Sequence, residues 1–183
     1  MSNALLLIDL QNDYFPGGAW ELTGSLAAVA NAAQLLAAFR AAGKPVIHIQ
    51  HIASQPGAPF FVPGTVGVEI HARVAPMQGE PVIIKRFANS FRETHLLPTL
   101  RTLGVDSLLI AGMMTHNCVD ATTRAAFDLG LHCRIAGDAC ATRALSYQGE
   151  TVPAAQVQTA FLSALSFFHA EVAPTASWLT AGV

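Results

Sequence analysis

Short apolar runs alternate with stretches of helical period along the whole chain. The run "ALLLID" (4–9) has no polar position before its last residue, which predicts a strand buried on both faces and ending at Asp9. A helix is predicted from Ser25, a residue type suited to an N-cap, with Leu26, Val29, Ala33 and Leu36 on one face. It stops at Gly43, with Pro45 just beyond. The runs "PVIHIQ" (45–50), "PVIIKR" (81–86), "DSLLIAG" (106–112) and "HCRIAGDA" (132–139) read as strands two to five. Between them, helical patterns cover 93–103, 115–129 and 153–168, the last opening on Pro153. A short last strand, "AEVAP" (170–174), precedes a terminal helical turn. This alternation predicts a three-layer α/β/α, Rossmann-like fold, with a central, mainly parallel six-stranded sheet in one domain over 1–183. Residues 53–80 break the pattern with Pro56, Gly57, Pro59, Pro63, Gly64, Gly67, Pro76 and Gly79. An irregular excursion of that length is uncommon in a compact domain and often carries function.

Composition narrows the class. Apolar residues make up 52% of the chain and charged residues 12%, about half the usual charged share. Such a chain is neither disordered nor a nucleic-acid coat, and its net charge of −2 offers no field to steer a polyanion. So little charge points to a homo-oligomer in which a neighbouring subunit covers part of the surface. The N-terminal run lacks a basic flank and is interrupted by Asp9, unlike a signal peptide. Three cysteines, Cys118, Cys133 and Cys140, cannot all pair and match no zinc spacing. A reduced, cytoplasmic protein is expected.

Ligands of open parallel sheets sit beyond the carboxyl ends of the strands. Three reactive groups fall near such ends. Asp9 closes strand one, Lys85 closes strand three, and Cys118 opens the helix after strand four. Taken singly, each has an ordinary reading: Asp9 as a turn former, Lys85 as a solvated edge residue, Cys118 as a small apolar packer. Together they say more, because a charge at the end of an apolar strand is costly unless paired. A carboxylate, an ammonium and a thiol at one strand-end crevice make a nucleophile with its acid–base partner.

The same segments carry a family resemblance over nearly the whole chain, in order. "LLIDLQNDYF", "IIKRFANSF", "IAGMMTHNCVDATTRAAFDLG" and "GDACAT" resemble the corresponding signatures of the isochorismatase-like cysteine hydrolases, which include nicotinamidases, carbamoylsarcosine amidases and ureido-acid hydrolases. The resemblance implies that Asp9, Lys85 and Cys118 are catalytic. It also implies a cis peptide at Met113–Met114, which turns the Met114 N–H toward the site to form an oxyanion hole with the Cys118 N–H. Lys85 and the helix end are then expected to lower the Cys118 pKa. The activity implied is cleavage of a small amide, carbamoyl or ureido compound through a thioester. Tyr14, Phe60 and Phe91 are candidate substrate contacts, with Trp20 and Phe61 beside them, and each serves packing equally well. Gln11, Asn12 and Asp13 are expected to fix the loop after strand one by local hydrogen bonds.

A metal-binding branch of the family keeps an Asp-x-His pair after strand two; here those positions read His51 and Ala53. His48 and His51 are three apart, so along a strand they face opposite ways. His71 lies in the excursion. No metal and no other cofactor is therefore expected. Two other readings remain: an isochorismatase-type vinyl-ether hydrolase, and a redox or ligand-binding protein with a reactive thiol.

Overall fold

The computed structural model describes residues 2–182. Six parallel strands form the central sheet: β1 (Asn3–Ile8), β2 (Val46–His51), β3 (Val82–Lys85), β4 (Ser107–Met113), β5 (His132–Ala141) and, last in the chain, β8 (Glu171–Ala173). Their order is β3-β2-β1-β4-β5-β8. The chain grows outward from β1 on one side and then crosses to β4 on the other. The reversal opens a crevice beyond the carboxyl ends of β1 and β4, where such sheets place ligands.

Within the all-apolar β1 the pleat still sorts side chains. Leu5 and Leu7 pack on one face against α1 (Ser25–Ala41), while Ala4, Leu6 and Ile8 pack on the other. That second face is covered by Leu96 and Leu100 of α2 (Leu96–Thr102), Ala126 of α3 (Asp120–Asp128) and Leu165 of α4 (Ala154–Phe168). The C-terminal α5 (Thr175–Ala181) returns to the α1 side through Trp178.

Several boundaries differ from the pattern reading. The buried stripe of α1 is Ala28, Val29, Ala32, Leu35, Leu36 and Phe39, whereas Leu26 is 53% exposed and Ala33 half-buried. Alanine fits either face, so an alanine-rich helix has little periodicity to read. Gly24, at φ 79°, occupies the N-cap, and Ser25 is the first helical residue. Glu93, at φ 54°, delays α2 until Leu96. Beyond β5 lies a hairpin that the pattern missed, β6 (Leu145–Tyr147) with β7 (Glu150–Val152). Its turn residues Gln148 and Gly149 both have positive φ, the requirement usually met by Asn-Gly.

Candidate active site

Asp9 leaves β1 in the left-handed region at φ 50°, a conformation aspartate tolerates better than most residues. Its N–H donates to the Ile49 carbonyl at 3.1 Å, and its carbonyl accepts from the Gln11 N–H at 2.9 Å. The side chain is fully buried. Next to it, β4 approaches β1 as only glycine allows. Gly112 has φ 148°, and a Cβ there would lie 2.1 Å from the Ile8 carbonyl oxygen. The Met113–Met114 peptide that follows is cis. Residues Thr115–Val119 then form one wide π-type turn, in which the Val119 N–H reaches the Met114 carbonyl at 3.2 Å. The expected helix over 115–129 therefore begins as this turn and becomes α-helical only at Asp120. The turn carries Cys118, buried, to the crevice.

Lys85 joins the two. It ends β3 in register with His51 of β2. Its ammonium lies 2.8 Å from Asp9 Oδ2, 3.2 Å from Cys118 Sγ and 3.1 Å from His51 Nδ1. It also donates to the Phe87 carbonyl at 3.0 Å. Burial works against the charge of Lys85, but Asp9 and Cys118 outweigh it and raise its pKa. Besides the Lys85 ammonium, the Asp9 carboxylate has the Cys118 thiol and, at 4.0 Å, His51 Nδ1 as neighbours.

The structure corrects the expectation of a thiol with lowered pKa. Burial pushes the Cys118 thiol up, the negative charge of Asp9 pushes it further, and Lys85 recovers only part. In the resting site the proton therefore stays on sulfur. Cys133 and Cys140 are pushed up to about 12, in both cases chiefly by burial.

His51 was read from the sequence only as a residue unsuited to a metal site; it belongs to this one. Burial first, and then Lys85, lower its pKa. It is thus neutral and accepts the Lys85 proton at Nδ1, which leaves its N–H on Nε2. Asp9, His51 and Cys118 each offer one donor atom, all within 4.8 Å of one another, as a metal site would require. The Lys85 ammonium already stands against all three. The group thus has its cation, and a metal would have to displace it. His48 points away, bonding Glu80 at 2.9 Å. His71 packs tilted against the Phe15 ring and accepts from the Arg73 N–H.

A cavity of about 240 Å³ adjoins this cluster, lined among others by His51, Phe60, Phe61, Arg86, Phe87 and Ala88. His51 and Phe87 also hold the Lys85 ammonium. A larger hollow, about 850 Å³, lies elsewhere; Asn3, Ser107 and His132 at the strands' opposite ends line it. Of the candidate substrate contacts, Phe60 lines the cavity. Tyr14 is buried behind that wall, its ring 4.7 Å from Phe61 and 5.7 Å from Phe60. Burial first, and then the neighbouring Cys118, Asp9 and Asp13, raise the Tyr14 pKa well above its ordinary value, so it stays neutral. Phe91 is not in the cavity wall; it packs half-buried against the core of the α2–α4 face.

The loop after β1 does more than the local bonding expected of it. Gln11, fully buried, donates to the carbonyls of His51 at 2.8 Å and Val68 at 2.7 Å, and accepts from the His51 N–H at 2.7 Å. Asn12 donates to the Val66 carbonyl. Asp13 accepts from the Phe61 N–H at 2.6 Å, and a Cβ on Gly67 would lie 2.0 Å from its carboxylate. These long-range bonds pin the excursion over the site. The only hint in the sequence is a polar run placed directly after a buried strand.

Comparison with known proteins agrees with this geometry. Residues 3–164 match the model of the Isochorismatase domain. The chain is 48% identical over 179 residues to the uncharacterized isochorismatase family protein YddQ of Bacillus subtilis (strain 168), covering 98% of this chain and 99% of that one. The crystal structure of an isochorismatase from Pseudomonas putida KT2440 superposes with a TM-score of 0.89 at 38% identity, over 96% of this chain and 89% of that one. A maleamate amidohydrolase of Pseudomonas putida is 37% identical over 136 residues, or 65% of this chain and 62% of that one. The chain belongs to the isochorismatase family and is a hydrolase.

Proposed function

We propose that the chain hydrolyses a C–N bond of a small amide, carbamoyl or ureido compound through a thioester on Cys118. One observation carries this reading: a single buried ammonium holds both a carboxylate and a thiol, Asp9 and Cys118. As the substrate carbonyl settles on sulfur, the Sγ proton passes to Asp9 and the S–C bond forms. The carbonyl electron pair moves to oxygen, where we place the backbone N–H groups of Met114 and Cys118 as donors. Collapse of this intermediate breaks the C–N bond, and Asp9 returns its proton to the departing nitrogen. Water then gives a proton to Asp9 and attacks the thioester. Acid is released, and the Asp9 proton returns to sulfur. Lys85 keeps the negative charge of the pair compensated throughout.

The activity named for the maleamate amidohydrolase, cleavage of an amide, supports this choice. A vinyl-ether hydrolase needs the acid but has no use for a thiol held against it. A redox or binding role would consume one equivalent per thiol. Ammonia release from primary amides, carbamoyl amino acids and ureido acids tests the proposal: multiple turnovers are expected. Release of pyruvate from an isochorismate-type ether without ammonia from any amide would overturn it.

We further propose a homo-oligomer in the cytoplasm. Phe167 and Phe168 at the end of α4 are 83% and 68% exposed, an apolar pair suited to a subunit contact. All three cysteines are free, as in a reducing compartment. Sedimentation at micromolar concentration should show a dimer or larger; a monomer alone would reject the assembly.

A further inference from the structure

We propose that Gln158 is a positioning residue: through Thr115 it holds the Met114 N–H where the oxyanion forms. This rests on the thioester reading, in which that N–H and the Cys118 N–H receive the carbonyl oxygen. Thr115 follows Met114 directly and opens the turn that carries Cys118. Its side chain is fully buried, and its hydroxyl donates to Gln158 Oε1 at 2.7 Å, with the Ala141 carbonyl as a more distant acceptor at 3.2 Å. The rest of the Gln158 amide is engaged as well. Its Nε2 donates to the carbonyls of Gly137 at 3.1 Å and Cys140 at 3.2 Å. Those two carbonyls take both N–H donors, so the amide oxygen is left to face Thr115. Gln156, Thr159 and Ala160 around it on α4 are exposed, whereas this amide is turned inward.

Gly137 and Cys140 flank an irregularity in the sheet. Ile110 of β4 pairs with Ile135 of β5, but Gly112 pairs with Cys140, so Ala111 stands opposite residues 136–139. Bulges re-aim a strand beside an active site. Gln158 bridges this one, and just past it Met113 pairs with Ala141, where β4 ends. One amide therefore ties α4, the bulge and the first residue of the turn together. The Met114 carbonyl is spent inside the turn, on the N–H groups of Asn117 at 3.0 Å and Val119 at 3.2 Å. The adjoining Thr115 hydroxyl anchors the turn to the surrounding layers. A backbone donor serves an oxyanion at about 2.7–3.1 Å, and a misplacement of about 1 Å costs about 10²-fold in rate. Without this anchor the Met114 N–H drifts, while Cys118, further along the turn, keeps its bond to Lys85.

Acylation by p-nitrophenyl acetate tests this whether or not any amide is a substrate. The Sγ proton passes to Asp9, the S–C bond forms through the same oxyanion, and p-nitrophenolate leaves with the electrons of the broken C–O bond. Gln158→Met keeps the length of the side chain and removes the amide; it should slow acylation of Cys118 at least about tenfold. Alkylation of Cys118 by iodoacetamide forms no oxyanion and should keep its wild-type rate. Thr115→Val should reproduce this split, and Thr115→Ser, which retains the hydroxyl, should restore most of the acylation rate. The double variant Thr115→Val, Gln158→Met should be no slower than the slower single one, because both remove one contact. Unchanged acylation in Gln158→Met, alkylation that falls in parallel with it, or losses that multiply in the double variant would overturn the proposal. Should Gln158→Met not fold, Gln158→Asn, which shortens the reach of the amide, must show the same split. If the split is seen but no amide releases ammonia, the C–N hydrolase reading fails while this one stands. If ammonia is released but acylation is unchanged in Gln158→Met, the reverse holds.

Discussion

Replacing Lys85 by methionine keeps the buried stem and removes the ammonium. The fully buried Asp9 carboxylate then loses the cation 2.8 Å away. Removing one partner of a buried pair costs about 3–5 kcal/mol, because the other charge is left uncompensated. Against a total stability of about 5–15 kcal/mol, that is a large fraction. For a chain of this length each kcal/mol moves the melting temperature by roughly 2–4 °C, so a drop of about 6–20 °C is expected. Guanidinium unfolding at pH 7 measures the loss directly. Adding Asp9→Asn to Lys85→Met removes the orphaned charge and should recover part of the stability, a coupling of at least about 1 kcal/mol in the double-mutant cycle. A loss below about 1 kcal/mol, or a double variant no better than the single, would show that the pair is not the buried ion pair argued here.

Gly112→Ala should fail to give soluble protein or lose several kcal/mol (about the range of severe backbone and packing clashes), since its Cβ would fall 2.1 Å from the Ile8 carbonyl oxygen; normal melting would refute the close approach. The bond from Arg40 draws Glu80 down to about 2, with help from the Met77 N–H and His48. A depressed carboxyl stabilises above its unfolded pKa and loses that contribution as pH falls toward the folded value. Glu80→Gln should therefore be less stable than wild type at pH 7, with the gap closing between about pH 4.5 and 2, as read by thermal melts; a gap independent of pH would contradict this. Wild-type turnover should survive chelators. Lys85→Gly, which empties the centre of the Asp9–His51–Cys118 group, should bind zinc by calorimetry, and loss of wild-type activity with EDTA would mean that a metal does act. Iodoacetamide should modify Cys118 before Cys133 or Cys140, because Asp9 stands ready to take its proton. Its labelling rate should still climb above pH 9, since the thiol is held high; a plateau near neutrality, or Cys133 modified first, would count against the resting state described.

The strands were legible because a sheet covered on both faces needs uninterrupted apolar runs, and Asp9, Lys85 and Cys118 stood out as charge or reactive sulfur where those runs end. The stripe of α1 was harder to read, since alanine contributes little periodicity. The hairpin at 145–152 was hidden because Gln148 fills a turn position more often held by asparagine. The roles of Gln11 and Asp13 depend on partners some 40 to 57 residues away, which no local pattern encodes. The ionisation of Cys118 was misjudged for a similar reason. Charge partners can be guessed from motif order, but the depth of burial that outweighs them appears only when the fold is closed.

Acid quenching during turnover, followed by mass measurement of the Cys118 peptide, detects the acyl-enzyme itself. That peptide should carry the mass of the substrate's acyl or carbamoyl group, and Cys118→Ala should release no ammonia above background. An unmodified Cys118 peptide together with undiminished ammonia release by Cys118→Ala would contradict the thioester mechanism.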